Sequence, residues 1–177
     1  MKKVLAISGS TRSQSTNLNY IKAIGELSAD IFSIEIFERL LDIPAFNPDD
    51  DGDNPPAVIT DFRNQLRNAD GILICTPEYA MGVPGSLKNA IDWTVSSMEF
   101  SHKPVALITA SLSGLKGHAA LLETLHVIEA KITANTGLIV SFAKTKISAD
   151  CTITDEAVST AVKKLIEAFS LLMQEEP

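Results

Sequence analysis

Short apolar runs alternate with longer amphipathic stretches along the chain. Five runs of six or seven residues, rich in Val and Ile and bounded by turn residues, are typical of buried strands. They span residues 3–8, 31–37, 71–76, 104–110 and 137–142. After each run, apolar residues recur three and four positions apart, which predicts an amphipathic helix. The pattern therefore predicts five strands alternating with five helices.

Two of the predicted helices have recognisable starts. The third follows Pro84, a residue that suits the first turn of a helix because its missing N–H is not needed there. The fifth has the strongest periodicity, from Val158 to Met173. We expect Thr154 to be its N-cap, with Asp155 and Glu156 in its first turn.

The alternation of strands and helices determines the expected architecture. Parallel strands need helical crossovers and read as continuous apolar runs when both faces are buried. We expect one domain over residues 1–177, an α/β three-layer, doubly wound fold with a five-stranded parallel sheet in the order 2-1-3-4-5. In such sheets, ligands bind at the carboxyl ends of the strands, where the winding reverses. The loops after strands 1 and 3 should therefore carry the chemistry.

The loop after strand 1, residues 9–17, is rich in hydroxyl groups and leads directly into a helix. A phosphate at that helix start would accept hydrogen bonds from Ser10, Ser15 and Thr16 and charge-assisted ones from Arg12. The alternative is that these residues only cap the helix. The loop lacks the lysine of nucleotide hydrolases and the glycines of dinucleotide-binding turns, and this favours a terminal monophosphate.

The loop after strand 3, residues 77–85, contains two prolines and two glycines. This composition stiffens the loop and leaves backbone N–H groups free to face a ligand, while Tyr79 and Met81 offer apolar area for a flat ring. The alternative is a rigid turn with Tyr79 packed in the core.

Both loops carry motifs of a known family. Gly9-Ser10-x-Arg12-x-x-Ser15-x-Asn17, together with the stretch from Pro77-Glu78-Tyr79 to Asp92-Trp93, resembles the NADPH-dependent FMN reductases, which include quinone, azo-dye and chromate reductases. The resemblance implies a flavodoxin-like fold and FMN bound without a covalent link. It also implies NADPH or NADH as co-substrate and a homodimer or homotetramer, with subunit contacts near Asp92 and Trp93.

The resemblance also implies roles for individual residues. The phosphate and ribityl chain of FMN would be held by Ser10, Arg12, Ser15, Thr16 and Asn17. The isoalloxazine ring would be lined by Pro77, Glu78, Tyr79 and Ala80. A third loop, residues 111–117, would lie beside the pyrimidine edge and contribute Ser111, Ser113 and Gly114. Lys116 and His118 depart from the family pattern there. No catalytic side chain is expected, because the flavin performs the hydride chemistry.

Composition and charge narrow the possible partners. The net charge is −7 and the basic residues are scattered, which argues against nucleic-acid binding. The N-terminal apolar run is too short for a membrane span. Two cysteines support neither a disulfide framework nor a metal site, so we expect a cytoplasmic protein with reduced thiols. The acidic run 49–53 reads as a solvated loop, and His118 with Glu123 as a helix-surface pair.

The sequence therefore predicts an enzyme, an FMN-dependent NAD(P)H oxidoreductase that passes two electrons to a quinone, a flavin or a similar small acceptor. The alternative is a flavodoxin-like electron carrier that does not use NAD(P)H, although the T-x-T-G-x-T phosphate loop of such carriers is missing. A third reading is a ligand-sensing flavin module. The sequence leaves the acceptor and the preference between NADPH and NADH open.

Overall fold

The computed structural model describes residues 1–175 and contains, within that range, the predicted strands and helices. The strands are β1 (Lys2–Ser8), β2 (Phe32–Ile36), β3 (Gly71–Thr76), β4 (Val105–Ala110) and β5 (Gly137–Val140). The helices are α1 (Thr16–Leu27), α2 (Ala57–Asn68), α3 (Gly85–Asp92), α4 (Leu115–Val127) and α5 (Glu156–Leu172). β5 ends two residues earlier than predicted, because Phe142 adopts a left-handed backbone conformation that cannot continue a strand.

The five strands form one parallel sheet in the order β2-β1-β3-β4-β5, which confirms the predicted topology. The register places Ser8 beside Cys75 and Thr76 beside Thr109. The carboxyl ends of these strands therefore meet at one edge of the sheet.

Helices cover both faces of the sheet, so the fold has the three expected layers. One core cluster packs α2, α3 and α4 on one face, and a second packs α1 and α5 on the other. β3 and β4 are buried along their whole length. Fully burying a Val, Leu or Ile side chain contributes about 1.5–3 kcal/mol, so these central strands anchor the loops that follow them.

Two predicted helix starts need correction. The N-cap of α5 is Asp155, not Thr154, because the Asp155 carboxylate accepts a hydrogen bond from Val158 N at 2.9 Å. Pro84 is the N-cap residue of α3 and lies just before its first turn. Its extended backbone conformation sets the direction in which α3 leaves the loop.

The acidic run 49–53 is only partly solvated, contrary to the prediction. The Asp51 carboxylate turns inward and pairs with Arg63 at 2.5 Å, and both side chains are less than 10% exposed. Ser96 Oγ also donates to Asp51, at 2.6 Å. Burial alone would raise the pKa of Asp51, but the hydrogen bonds from Ser96 and Arg63 outweigh it and lower that pKa. The pair ties this loop to α2.

Trp93 faces the interior and not a partner subunit, which corrects another expectation. It is fully buried, packs edge-on against Phe46 and donates from Nε1 to Pro44 O at 2.9 Å. Trp93 therefore holds the proline-rich segment after β2 against the end of α3.

Two further features are absent from residues 1–175. No helix there is long and apolar enough to cross a membrane. In the same range, no three His, Cys, Asp or Glu side chains are grouped so that they could hold a metal ion.

Candidate functional site

A cleft of about 430 Å³ opens at the carboxyl edge of the sheet, where the strand order predicts a ligand site. Its size is within the usual range for small-molecule sites. Its walls come from the loops after β1, β3, β4 and β5. The lining residues are Ser10, Arg12, Gln14, Ser15, Thr16, Asn17, Pro77, Tyr79, Ala110, Ser111, Leu112, Phe142, Ala143, Lys144 and Thr145.

Gly9 brings the first loop tightly against β3. Its N–H donates to Cys75 O at 2.9 Å. A Cβ at this position would lie 2.3 Å from Thr76 Oγ1, so only glycine lets the chain pass here. The loop that follows is thereby held over the ends of β1 and β3.

The first turn of α1 faces the cleft. Ser15 is the N-cap, and its buried hydroxyl accepts a hydrogen bond from Leu18 N at 3.4 Å. Ser15 therefore caps α1. This cap is compatible with the predicted phosphate binding, because the free N–H groups and positive dipole end of a helix start also attract a phosphate. Thr16 and Asn17 lie in that turn, within the cleft wall.

Asn17 is buried and oriented from below by Cys75. The Cys75 thiol donates to Asn17 Oδ1, with 3.4 Å between sulfur and oxygen. Burial raises the pKa of Cys75, so the thiol keeps its proton and remains a donor. Because Oδ1 is engaged, the Asn17 amide offers its NH₂ group to a ligand.

The loop after β3 closes into a two-residue hairpin. Tyr79 and Gly82 exchange two backbone hydrogen bonds of 2.9 Å. Ala80 and Met81 between them both have positive φ, as a type I′ turn requires. Tyr79 is 49% exposed and lines the cleft, so the alternative interpretation that placed it in the core is wrong.

Glu78 turns away from the cleft and caps α4. Its Oε2 accepts a hydrogen bond from Gly117 N at 2.7 Å, in the first turn of that helix. A Cβ on Gly117 would lie 2.8 Å from Gly82 O, so helix and hairpin are in close contact. The N-cap of α4, Gly114, has no side chain to perform this role. Glu78 therefore supplies the cap from another loop and fixes the hairpin in place.

The third loop contributes less to the cleft than expected. Ser111 lines the cleft, whereas Ser113 is exposed outside it and Gly114 is buried beneath α4. His118 does not lie on the helix surface with Glu123. It is half-buried, and its Nδ1 lies 2.9 Å from Thr109 Oγ1. Burial lowers the pKa of His118 by disfavouring the charged form.

Eight of the twelve predicted site residues line the cleft, and four do not. Those in the cleft are Ser10, Arg12, Ser15, Thr16, Asn17, Pro77, Tyr79 and Ser111. Those outside it are Glu78, Ala80, Ser113 and Gly114.

The sequence reasoning missed the fourth wall of the cleft, residues 142–145. These residues carry no motif. The available signal was topological, because the strand order places the end of β5 beside the end of β4.

The cleft differs in charge from the rest of the molecule. The whole chain has a net charge of −7. Among the cleft-lining residues, all within the described range, there are two cations, Arg12 and Lys144, and no carboxylate. The cleft combines hydroxyl groups, a helix start and two cations with apolar area, and this combination fits a phosphorylated flat ring such as FMN.

Comparison with known proteins agrees with this geometry. The family model for NADPH-dependent FMN reductase matches residues 2–145. The chain belongs to this family. The resemblance drawn from the two loop motifs is thereby confirmed. The electron-carrier alternative is not favoured.

Named relatives lie within the same group. The chain is 34% identical over 175 residues to an NAD(P)H-dependent FMN reductase from Pseudomonas aeruginosa, covering 96% of this chain and 94% of that one. It is 36% identical over 122 residues to a quinone reductase from Pseudomonas putida, covering 66% of this chain. That match spans slightly less than two thirds of the quinone reductase, 64% of its length.

Among solved structures, the flavoenzyme NAD(P)H:(acceptor) oxidoreductase FerB from Paracoccus denitrificans has the same fold. The TM-score is 0.81 over 98% of both chains, at 24% sequence identity. This similarity confirms the flavodoxin-like architecture.

Proposed function

We propose that this protein is an FMN-dependent NAD(P)H oxidoreductase that passes two electrons to a small acceptor such as a quinone or a free flavin. One observation carries the proposal. The cleft lies at the carboxyl ends of the strands, where the winding of the sheet reverses. Its lining residues include two cations and no carboxylate, and the chain belongs to this reductase family.

At one end of the cleft, the loop after β1 is suited to the FMN phosphate. Arg12 can donate charge-assisted hydrogen bonds, and Ser10 and Thr16 can donate from their hydroxyl groups. The first turn of α1 adds backbone N–H groups and its dipole. Asn17, oriented by Cys75, can donate from its amide to the ribityl chain.

At the other end, the hairpin at 79–82 and Ser111 are suited to the isoalloxazine ring. Pro77 and Tyr79 form an apolar wall of the cleft. The hydrogen-bonded hairpin holds its backbone N–H and C=O groups in a fixed position. Ala80, Ser113 and Gly114 lie outside the cleft, so they would contribute by fixing the backbone conformation of the loops that line it. Glu78 would act by holding the hairpin to α4.

The hydride chemistry would be supplied by bound FMN, so the chain needs no titrating catalytic side chain. The protein's contribution is to orient the ring, to leave one of its faces open to NAD(P)H and then to the acceptor, and to hold the phosphate.

We also propose a homodimer or homotetramer assembled around the cleft. Large apolar side chains stand exposed in the loops and helix start at its rim, which is unusual without a covering partner. They are Tyr79, Met81, Leu112, Leu115 and Phe142, each 49–74% exposed. A second subunit packed there would shield the ring from water and help to select the acceptor.

In this proposal, a single domain over residues 1–177 carries the site. The protein works in the cytoplasm on small molecules and binds neither nucleic acid nor a membrane. The acidic balance and the free cysteines Cys75 and Cys151 support this setting.

The test is an anaerobic titration of FMN-loaded protein with NADPH and, separately, NADH. We expect the absorbance of the oxidised flavin to be lost stoichiometrically, at rates that support turnover. It should recover when a quinone is added. An electron carrier would bind FMN but show no turnover with either nicotinamide. Protein that is colourless after incubation with excess FMN and removal of the unbound flavin would contradict both functions.

A further inference from the structure

The loop after β5, residues 142–145, forms a wall of the cleft that no motif describes. It contributes Phe142, Ala143, Lys144 and Thr145. Phe142 is 61% exposed at the cleft, in a left-handed conformation with φ of 53°. Such a conformation is unfavourable for a bulky side chain and persists only where the surroundings impose it.

Hydrogen bonds on both sides impose it here. Phe142 N donates to Leu112 O at 3.1 Å, and Ala143 N donates to Ser111 O at 3.0 Å. On the other side, the buried Tyr20 hydroxyl of α1 donates to Ala143 O at 3.2 Å. The loop is therefore a fixed bridge between the third loop and α1.

This bridge has a direction along the cleft. It starts at the ring end, beside Leu112, and reaches α1 at Tyr20, one turn after Thr16. Thr145 then closes the loop on itself, with its hydroxyl donating to Phe142 O at 2.9 Å. Lys144 directly follows Ala143, the residue that Tyr20 of α1 anchors, and it lines the same cleft as Thr16 in the first turn of α1.

Neither cation of the cleft is neutralised by the protein. Within residues 1–175, Arg12 and Lys144 make no ion pair, whereas Arg39, Arg63 and Arg67 do. A phosphate monoester carries between about 1.5 and 2 negative charges at neutral pH. One arginine leaves part of that charge unbalanced, inside a chain whose overall field is negative.

We propose that Lys144 is a second cationic ligand of the FMN phosphate, acting together with Arg12, and that residues 142–145 are a fourth cofactor-binding segment. This rests on the proposed function, because it takes FMN as the ligand of the cleft. The fixed backbone on either side of Lys144 limits where its ammonium group can go.

The test compares FMN with riboflavin, which lacks the phosphate. Protein stripped of flavin is titrated with each ligand, and binding is followed by quenching of flavin fluorescence. Lys144→Met should weaken FMN binding by about tenfold, the loss of one charge-assisted contact, and leave riboflavin binding within twofold of wild type. Lys144→Arg should restore most of the FMN affinity.

Lys163→Met is the matched control, because it removes the same charge from the exposed face of α5. It should leave both affinities within twofold. Equal FMN affinity in the Lys144→Met and Lys163→Met variants would overturn the proposal, as would an equal loss of FMN and riboflavin. A raised KM for NADPH with unchanged FMN affinity would also overturn it, by assigning Lys144 to the dinucleotide. If the wild-type protein binds no FMN, the proposed function itself fails.

Discussion

Ala80 and Met81 adopt left-handed backbone conformations, with φ of 49° and 62°, although neither is a glycine. Two hydrogen bonds between Tyr79 and Gly82 hold the turn closed over them. The left-handed conformation costs about 1–2 kcal/mol per non-glycine residue, and Asn tolerates it better than Ala does. The hairpin beside the cleft therefore stores strain that a single substitution can relieve.

We expect Ala80→Asn to stabilise the protein by about 0.5–1 kcal/mol, because Asn favours this position of a type I′ turn. The measurement is the free energy of unfolding in urea. Ala119→Asn, at an exposed position within α4, should lower stability by about 0.5 kcal/mol through its poorer helix propensity. A lower free energy of unfolding for both variants would show that the hairpin is not strained at Ala80.

His118 predicts a pH dependence of stability. Its pKa is lowered in the folded protein by burial, whereas in the unfolded chain it is about 6.5. Below that pH the unfolded chain binds more protons, so stability contributed by neutral His118 is lost as pH falls. The carboxylates with lowered pKa, Asp51 and Asp70, lose their contribution only in more acidic solution.

Urea unfolding at pH 7.5 and pH 5.5 isolates this effect. We expect His118→Asn to reduce the fall in stability between the two pH values. His102→Asn, at an exposed position, should keep the fall of the wild-type protein. An unchanged fall in the His118→Asn variant would exclude His118 as its source.

At the scale of elements, the strands and helices were predictable, but the bonds between loops were not. The alternating pattern gave β3 with both ends correct, since a strand buried on both faces leaves an uninterrupted apolar run. It missed the end of β5, because the stop there is a backbone conformation at Phe142 and not a turn residue. Glu78 matched a family motif, yet its partner Gly117 lies 39 positions along the chain.

We expect Glu78→Ala to destabilise the protein by about 1–2 kcal/mol, the usual effect of losing a charged cap of a helix N-terminus. Differential scanning calorimetry should detect this as a lower Tm. Glu78→Gln keeps an acceptor for Gly117 N and should lose less. Glu123→Ala, exposed on the same helix, should change Tm little. Equal losses in the Glu78→Ala and Glu123→Ala variants would mean that the cap adds nothing.

At the scale of the whole molecule, the exposed apolar rim and the charge distribution belong to the same end of the sheet. The proposed assembly predicts that Met81→Asp, at a side chain 74% exposed at the hairpin tip, converts the oligomer to a monomer. Light scattering coupled to size-exclusion chromatography measures this. Asp is chosen because it tolerates the left-handed conformation at this position.

Val127→Asp is the control, since Val127 is 82% exposed at the far end of α4, away from the cleft. It should leave the oligomer intact. A wild-type monomer, or a Met81→Asp variant that remains oligomeric, would place any subunit contact elsewhere.

The sequence by itself determined the order of elements, the sheet topology and the edge at which ligands bind. These follow from local periodicity and from the general handedness and connectivity of parallel sheets. It also identified eight of the cleft residues. Seven of them lie in the two loops with recognisable motifs, and the eighth, Ser111, lies in the third loop.

Only the tertiary structure decided which of the remaining polar groups face the cleft. Glu78 turned to α4, His118 to Thr109 and Asp51 to Arg63, while Lys144 joined the cleft from a loop without a motif. The physical reason is that these side chains are placed by partners distant in sequence. Local propensity carries no information about such partners, because they come together only when the chain folds.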